Sequence, residues 1–280
     1  MRFEPTMDAL DRAELLCVKP LTRETLVLRI FLAVLALTTL YALSTIDYRS
    51  IDVATGISET LGNLKFIFLE PNTRRLGLWD AFSEVTITMG LAFLTTLFSG
   101  VIALFTGLMA AQNLAPKRLT NLIKGTVAFI RAVPTILWVL IFAVTAGLGS
   151  TAAVIGLTFH SVSYLTKAFS ESFEDLDKGV IEALKASGAN WWQIVFQAVI
   201  PASVTSLLSW TFMRFEINFA NAIAMGAAAG ATGIGFDLFM ASGFYFDLHE
   251  LGLITYFVLA FAMILEMIST HLKEKLQSRA

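Results

Sequence analysis

Six stretches of roughly 20 residues, nearly free of charge, recur along this 280-residue chain. About 20 apolar residues in helical form cross the hydrocarbon of a bilayer. The stretches run over about 25–46, 83–112, 125–148, 151–169, 202–225 and 251–271. The chain is therefore expected to be an all-α membrane protein of about six transmembrane helices. Composition agrees, since 56% of the residues are hydrophobic and 15% charged, whereas a soluble domain carries about 25% charge. Residues 1–24 mix acids and bases without the apolar core of a cleavable signal, and are expected as a cytoplasmic N-terminal segment before one transmembrane domain over 25–280.

Lysine and arginine near the span ends set the expected orientation. Arg2, Arg12, Lys19, Arg23 and Arg29 precede or open the first span. Lys117, Arg118 and Lys124 fall between the second and third, Lys167, Lys178 and Lys185 around the fourth loop, and Lys273, Lys275 and Arg279 in the tail. The other side has Arg49, Lys65, Arg74 and Arg75. Both termini and the 170–201 loop are thus expected in the cytoplasm, in a multi-pass protein of the cytoplasmic (inner) membrane. A net charge of −2 with no basic face argues against nucleic acid. A single cysteine, Cys17, excludes an internal disulfide and a cysteine metal cluster. No metal site is expected.

The 170–201 loop is the most informative region. Residues 180–187 are good helix formers, and Gly188 can end that helix in a left-handed conformation. A second short helix over 189–199 is then expected to set off in a new direction before Pro201. Trp191 and Trp192 suit a membrane interface. Two short helices meeting at a bend make a knob on which another protein can dock.

Glu182-Ala183-Leu184, Gly188 and Ile200-Pro201 resemble the EAA…G…LP loop of binding-protein-dependent ABC importer permeases. Leu184 stands where the pattern has alanine, and Ile200 where it has leucine. Arg131-Ala-Val-Pro-Thr-Ile-Leu-Trp-Val-Leu-Ile-Phe142 is similar to a stretch of the phosphonate-type members, as are Arg214 with Phe215-Glu216-Ile217-Asn218, and Gly233-Ile-Gly-Phe236. The resemblance covers about residues 83–268. It implies a type I importer transmembrane fold, and cargo among phosphonates or reduced phosphorus oxyanions such as phosphite and hypophosphite. The loop would be a coupling helix seated on an ATPase. The implied partners are a dimer of ABC ATPase subunits, an external substrate-binding protein, and a second permease copy or a related permease, all in the lipid bilayer. The sequence has no nucleotide-binding P-loop, so ATP and Mg are expected on the ATPase, with no cofactor and no catalytic residue here.

Ionisable groups inside spans are costly and usually face the bundle interior or a water-filled path. Arg131, His160, Arg214, Glu216 and Asn218 are the expected lining of a translocation path, with Glu84 a further intramembrane charge. Arg131 is close enough to its helix start to snorkel outward instead. Pro134 should kink the third span. Arg214, Asn218 and Asn221 share one helical face, with Glu216 about 200° round from Arg214. A planar arginine fork beside amide donors suits a tetrahedral oxyanion, whereas a clamp between helices is the expected role of Glu216. Gly226, Gly230, Gly233 and Gly235 are expected to break the end of the fifth span and permit close packing. An ion-coupled secondary transporter would want repeated halves. An intramembrane hydrolase would need His160 and Ser161, which are about 100° apart on one helix, to exchange a proton.

Overall fold

The computed structural model describes residues 22–46 and 52–277, and the expected N-terminal segment falls mostly outside them. Among these residues the chain is helical throughout, in two units divided between Glu59 and Thr60. The first unit holds α1, Arg23–Thr45, capped where the Thr22 side chain accepts from the Thr25 amide. It also holds the start of α2, Val53–Leu69, where Asp52 accepts the amide of Ala54 and the hydroxyl of Thr55. The sequence predicts only a polar connection over 47–80, between the first two spans. Helix α2 corrects that: Ile57, Leu61, Leu64, Phe66 and Phe68 give it an apolar surface, too short a run to register as a span.

The second unit runs on through α3 (Leu78–Ala110), α4 (Lys117–Ala132), α5 (Thr135–Ala146) and α6 (Ser150–Glu174). Then follow α7 (Lys178–Ala186), α8 (Trp191–Ile194), a π-helical turn at Val195–Val199, and α9 (Ile200–Ala229). A short α10 (Ile234–Phe239), a second π turn (Met240–Phe244) and α11 (Leu248–Gln277) complete the order.

Among the described residues four helical rods are long and apolar enough to cross a membrane, and the bent pair α4–α5, taken as one span, makes a fifth. The remaining expected span is α6. Its 25 residues reach about 37 Å, but Ser161, Ser163, Thr166 and Ser170 dilute its apolarity, and all four are buried against neighbouring helices. The third expected span needs correction. Instead of one kinked helix over 125–148, α4 begins at Lys117 and meets α5 at 92°. Pro134 cannot donate to a helical carbonyl, and Val133 before it is driven to an extended conformation (ψ 127°). The 12 residues of α5 reach about 18 Å, short of a hydrocarbon core of about 30 Å.

The loop end of the unit is held by α3, α4, α6 and the 175–199 segment. Glu174 accepts from the Gln112 amide at 2.7 Å and from Lys124 Nζ at 2.8 Å. Trp191 Nε1 donates to the Leu114 carbonyl. At the far end, Leu76 N donates to Glu250 Oε1 and Thr232 N to Ser150 Oγ. Two apolar cores follow this polarity. One, around Val85, Leu157, Phe219 and Ile234, lies toward the far end. The other, around Leu165, Phe173, Val195 and Leu207, lies toward the loop end.

The expected glycine break is present. Gly230 caps α9 with φ +64°, and α10 folds back on it. A Cβ on Gly235 would overlap the Ile223 carbonyl of α9, so the two backbones touch directly, as small residues allow in membranes. Gly235→Ala should therefore destabilise the chain by about 1–3 kcal/mol through overpacking. Gly90→Ala, where a methyl meets nothing within 4 Å, should not. Thermal melts of the purified chain in detergent would show the difference, and equal melting of the two variants would contradict this packing.

Candidate functional site

Between the two cores, three helices present polar side chains at one level. On α3 these are Thr95, Thr96 and Ser99; on α6, Ser161 and Ser163; on α9, Arg214 and Asn218. Arg214 lies 14 residues after Ile200, or about 21 Å along a rod that continues about as far beyond it. The level is mid-height in the bundle.

A continuous hydrogen-bonded chain ties it together. Arg214 Nε and Nη2 donate to Ser161 Oγ at 3.0 and 2.9 Å. Ser161 Oγ donates to Asn218 Oδ1 at 2.9 Å, and Asn218 Nδ2 donates to Thr96 Oγ1 at 3.0 Å. Thr96 closes the chain on the Ala92 carbonyl at 2.7 Å. Arg214 Nη2 also lies 3.1 Å from His160 Nδ1. A guanidinium only donates, so that ring nitrogen is the acceptor and the imidazole proton sits on Nε2. Arg214 is 3% exposed and Asn218 and Ser161 0%.

All these partners of Arg214 are neutral. Among the described residues no carboxylate lies within 4.0 Å of its guanidinium. Burying a cation without a counter-charge is expensive, and neutral hydrogen bonds offset that cost only in part. The arrangement holds a fixed positive charge at mid-height, with its Nε and Nη2 engaged by Ser161 and His160.

The other expected path residues separate into two groups. His160 joins Arg214, as does Asn218 through Ser161. Glu216 points elsewhere, its Oε1 4.0 Å from Lys273 Nζ of α11 and without a hydrogen-bond partner among the described residues. Arg131 is exposed, and its Cζ stands 5.8 Å from the Tyr164 ring centroid. Arg214 Cζ lies 5.0 Å from the same centroid. Neither Tyr164 nor Thr96 was singled out from sequence. Tyr164 had a signal, being four residues after His160 on one helical face; Thr96 had none, because its role depends on packing between helices. Ser161 Oγ is engaged by Asn218 and Arg214 rather than by His160, which leaves a hydrolytic pair without support.

The loop motif takes the expected bent form. Helix α7 starts where Asp177 accepts the Gly179 amide, and ends at Gly188 with φ +84°. The Gly188 amide bonds Lys185 O and the Ala189 amide bonds Leu184 O, the paired closure that a left-handed glycine permits. Glu182, Ala183 and Gly188 are exposed, while Leu184 and Ile200 pack against the loop-end core. Beyond the bend one expectation fails. The second arm does not stop before Pro201; Trp191–Ala229 is one rod of 39 residues. A capping box of Asn190 and Gln193 starts it, and the π turn carries it through the proline. Ile200 N bonds Val195 O there, so the ladder has already shifted where Pro201 lacks a donor. The arm is thus continuous with the helix that holds Arg214.

Residues 103–279 match the family described as binding-protein-dependent transport system inner membrane component. The phosphate-import permease protein PhnE of Mycolicibacterium smegmatis is 29% identical over 195 residues, 69% of this chain and 36% of that protein. The phosphite transport system permease protein PtxC of Stutzerimonas stutzeri is 30% identical over 188 residues, 67% of this chain and 68% of that protein. The chain thus spans about a third of the first relative's length and two thirds of the second's. In structure it is similar to a chain of the MetNI methionine ABC transporter in an inward-facing conformation, with TM-score 0.66 and 19% identity. That match covers 73% of this chain and 99% of the other. The likeness shows the fold, with the helices arranged as in that transporter chain. With its family matched over most of its length and its helices arranged in that fold, the chain belongs to the binding-protein-dependent transport system inner membrane components.

Proposed function

We propose that this chain is the permease subunit of an ABC importer that moves a phosphonate or a reduced phosphorus oxyanion, such as phosphite, by alternating access. The observation that carries the reading is the buried Arg214 guanidinium at mid-height, positive and, among the described residues, without a carboxylate partner. An oxyanion passing that level supplies the missing negative charge, and Arg recognises tetrahedral oxygens through directed paired bonds. Relatives named for phosphate and phosphite transport support the same cargo class.

The 170–201 loop and both termini face the cytoplasm, following the lysine and arginine distribution. Glu182, Ala183, Leu184 and Gly188 form the element that seats on an ATPase, with Ile200 and Pro201 at the root of the second arm. Two ATPase subunits bind ATP and Mg, and their closure pushes α7. Because the second arm and the Arg214 helix are one rod, a movement at the bend reaches the anion level without an intervening hinge. A binding protein delivers cargo at the far end, and a second permease copy or a related permease completes the path.

Co-purification with the ATPase and binding protein, followed by reconstitution in liposomes, tests this. Phosphite or a simple phosphonate should raise ATP hydrolysis several-fold and accumulate in the lumen. Stimulation by methionine instead would overturn the cargo class, and uptake by the chain without an ATPase would overturn the importer.

A further inference from the structure

Below the Arg214 level, toward the loop end, the structure gathers more positive charge than the bundle needs. Tyr164 has two guanidinium groups near one ring, Arg214 at 5.0 Å and Arg131 at 5.8 Å from its centroid. Among the described residues, neither lies within 4.0 Å of a carboxylate. Beside Arg131 a cleft of about 240 Å³ opens between α4 and α6, where Lys124, Lys167, Ser170 and Glu171 also line it. A neighbouring hollow is bounded by Arg131, Tyr164, Lys167, Glu171 and Trp210. Glu174 engages Lys124 at 2.8 Å, and Glu171 lies 3.5 Å from Lys167. Arg131 is the surplus charge, and it lines both hollows.

Two like charges drawn toward one ring repel each other. The ring face attracts each of them weakly, but it does not neutralise them. An anion between or beside them would. The break at Pro134 matters here: the 92° turn between α4 and α5 ends α4 beside Tyr164 of α6 rather than carrying Arg131 along a straight span.

We propose that the cleft between α4 and α6 is a second oxyanion site, headed by Arg131 and supported by Lys167, on the exit side of Arg214. A tetrahedral oxyanion released from the Arg214 fork passes the edge of Tyr164 and is held next by Arg131, before it reaches open water. The two cations thereby form successive steps of modest affinity instead of one deep trap, which is what allows an anion to leave. This deepens the proposed function and rests on it for direction and cargo. An anionic lipid headgroup offers the same phosphate oxygens, since basic pockets between helices at the cytoplasmic face take them as well.

The test uses the purified full-length chain in a neutral detergent, titrated calorimetrically with phosphite in one arm and with short-chain phosphatidylglycerol in the other. In an Arg214→Met background, which leaves the cleft as the remaining site, phosphite should still bind saturably. Adding Arg131→Gln should weaken that binding at least tenfold, Lys167→Gln should weaken it less, and Arg131→Lys should restore part of it. Arg131 and Lys167 are exposed, and matching thermal melts would certify the fold of each variant. Unchanged phosphite affinity in Arg131→Gln overturns the site. Saturation by phosphatidylglycerol that phosphite cannot displace assigns the cleft to lipid, and overturns its role as an exit step. Uptake by the assembled wild-type complex is measured separately. If the complex imports phosphite while Arg131→Gln changes neither binding nor uptake, the exit site falls and the importer stands. If the complex imports nothing, the importer falls and the titrations still judge the cleft.

Discussion

An Arg214→Met chain, assembled with its ATPase and binding protein, should melt close to the parent yet import at least tenfold less oxyanion. The stability half of this follows from what Arg214 touches. It makes no ion pair with a described residue, and its partners are a hydroxyl and an imidazole. Removing it strands no carboxylate, and Ser161 Oγ keeps its acceptor on Asn218. Replacing a buried charge by an apolar side chain of similar length is often neutral or stabilising. The transport half follows from the charge. Hydrogen bonds to a charged group are worth about 1.5–3 kcal/mol, and each 1.4 kcal/mol is tenfold in rate. Loss of the fork thus predicts a fall of about 10- to 100-fold in uptake. Arg214→Lys, which keeps the charge and loses the planar fork, should fall in between. Asn218→Leu provides the contrast. It breaks the link from α6 to α3 and leaves Ser161 and Thr96 without their partner. A stability loss of about 1–2 kcal/mol fits the upper range for such bonds in membranes. If Arg214→Met instead melts early and transport declines only in step with folded protein, Arg214 is a clamp and the anion site is lost.

The parts of this arrangement that were legible in the sequence are those governed by local rules. A run of apolar residues must be helical in lipid because backbone groups find no other partner there, and so α1, α3, α9 and α11 fall close to their expected limits. Gly188 was legible for the same reason: a left-handed residue after a helix-forming run is most often glycine. The shared face of Arg214 and Asn218 came from helical periodicity alone. The misses arise where neighbours decide. Helix α2 pairs Phe66 and Phe68 with His249 and Tyr256, nearly two hundred residues away. The size of the turn at Pro134 depends on α5 packing against α6, where a Cβ on Gly156 would sit 2.5 Å from the Val139 backbone. Pro201 read locally as a stop, but the π turn before it rearranges the bonding and lets the rod continue. The cluster of Arg131, Tyr164 and Lys167 draws on α4 and α6, whose facing surfaces no single-helix pattern reveals.

The bend at Gly188 makes a second large effect predictable, because its cause can be separated from steric collision. A Cβ at this position would meet nothing within 4 Å, while the backbone holds φ at +84°. A β-branched residue cannot adopt that conformation comfortably; the left-handed region costs an ordinary L-residue about 1–2 kcal/mol. Gly188→Val should therefore fold, since the strain is small beside a whole bundle, but the closure formed by Gly188 and Ala189 on Lys185 and Leu184 should open. Helix α7 would then meet the start of α8 at a different angle, and the exposed Glu182 face would no longer meet the ATPase squarely. Oxyanion uptake by the reconstituted complex should drop at least tenfold, and stimulation of ATP hydrolysis by the loaded binding protein should be lost. Asparagine tolerates the left-handed region better than other non-glycine residues, so Gly188→Asn should retain most of both activities. The pair isolates backbone conformation from side-chain bulk, because the same open space surrounds either substitution. Equal transport by the valine and asparagine variants would mean that the angle between the two arms does not transmit force. The continuous rod from Trp191 to Ala229 would then need a different drive.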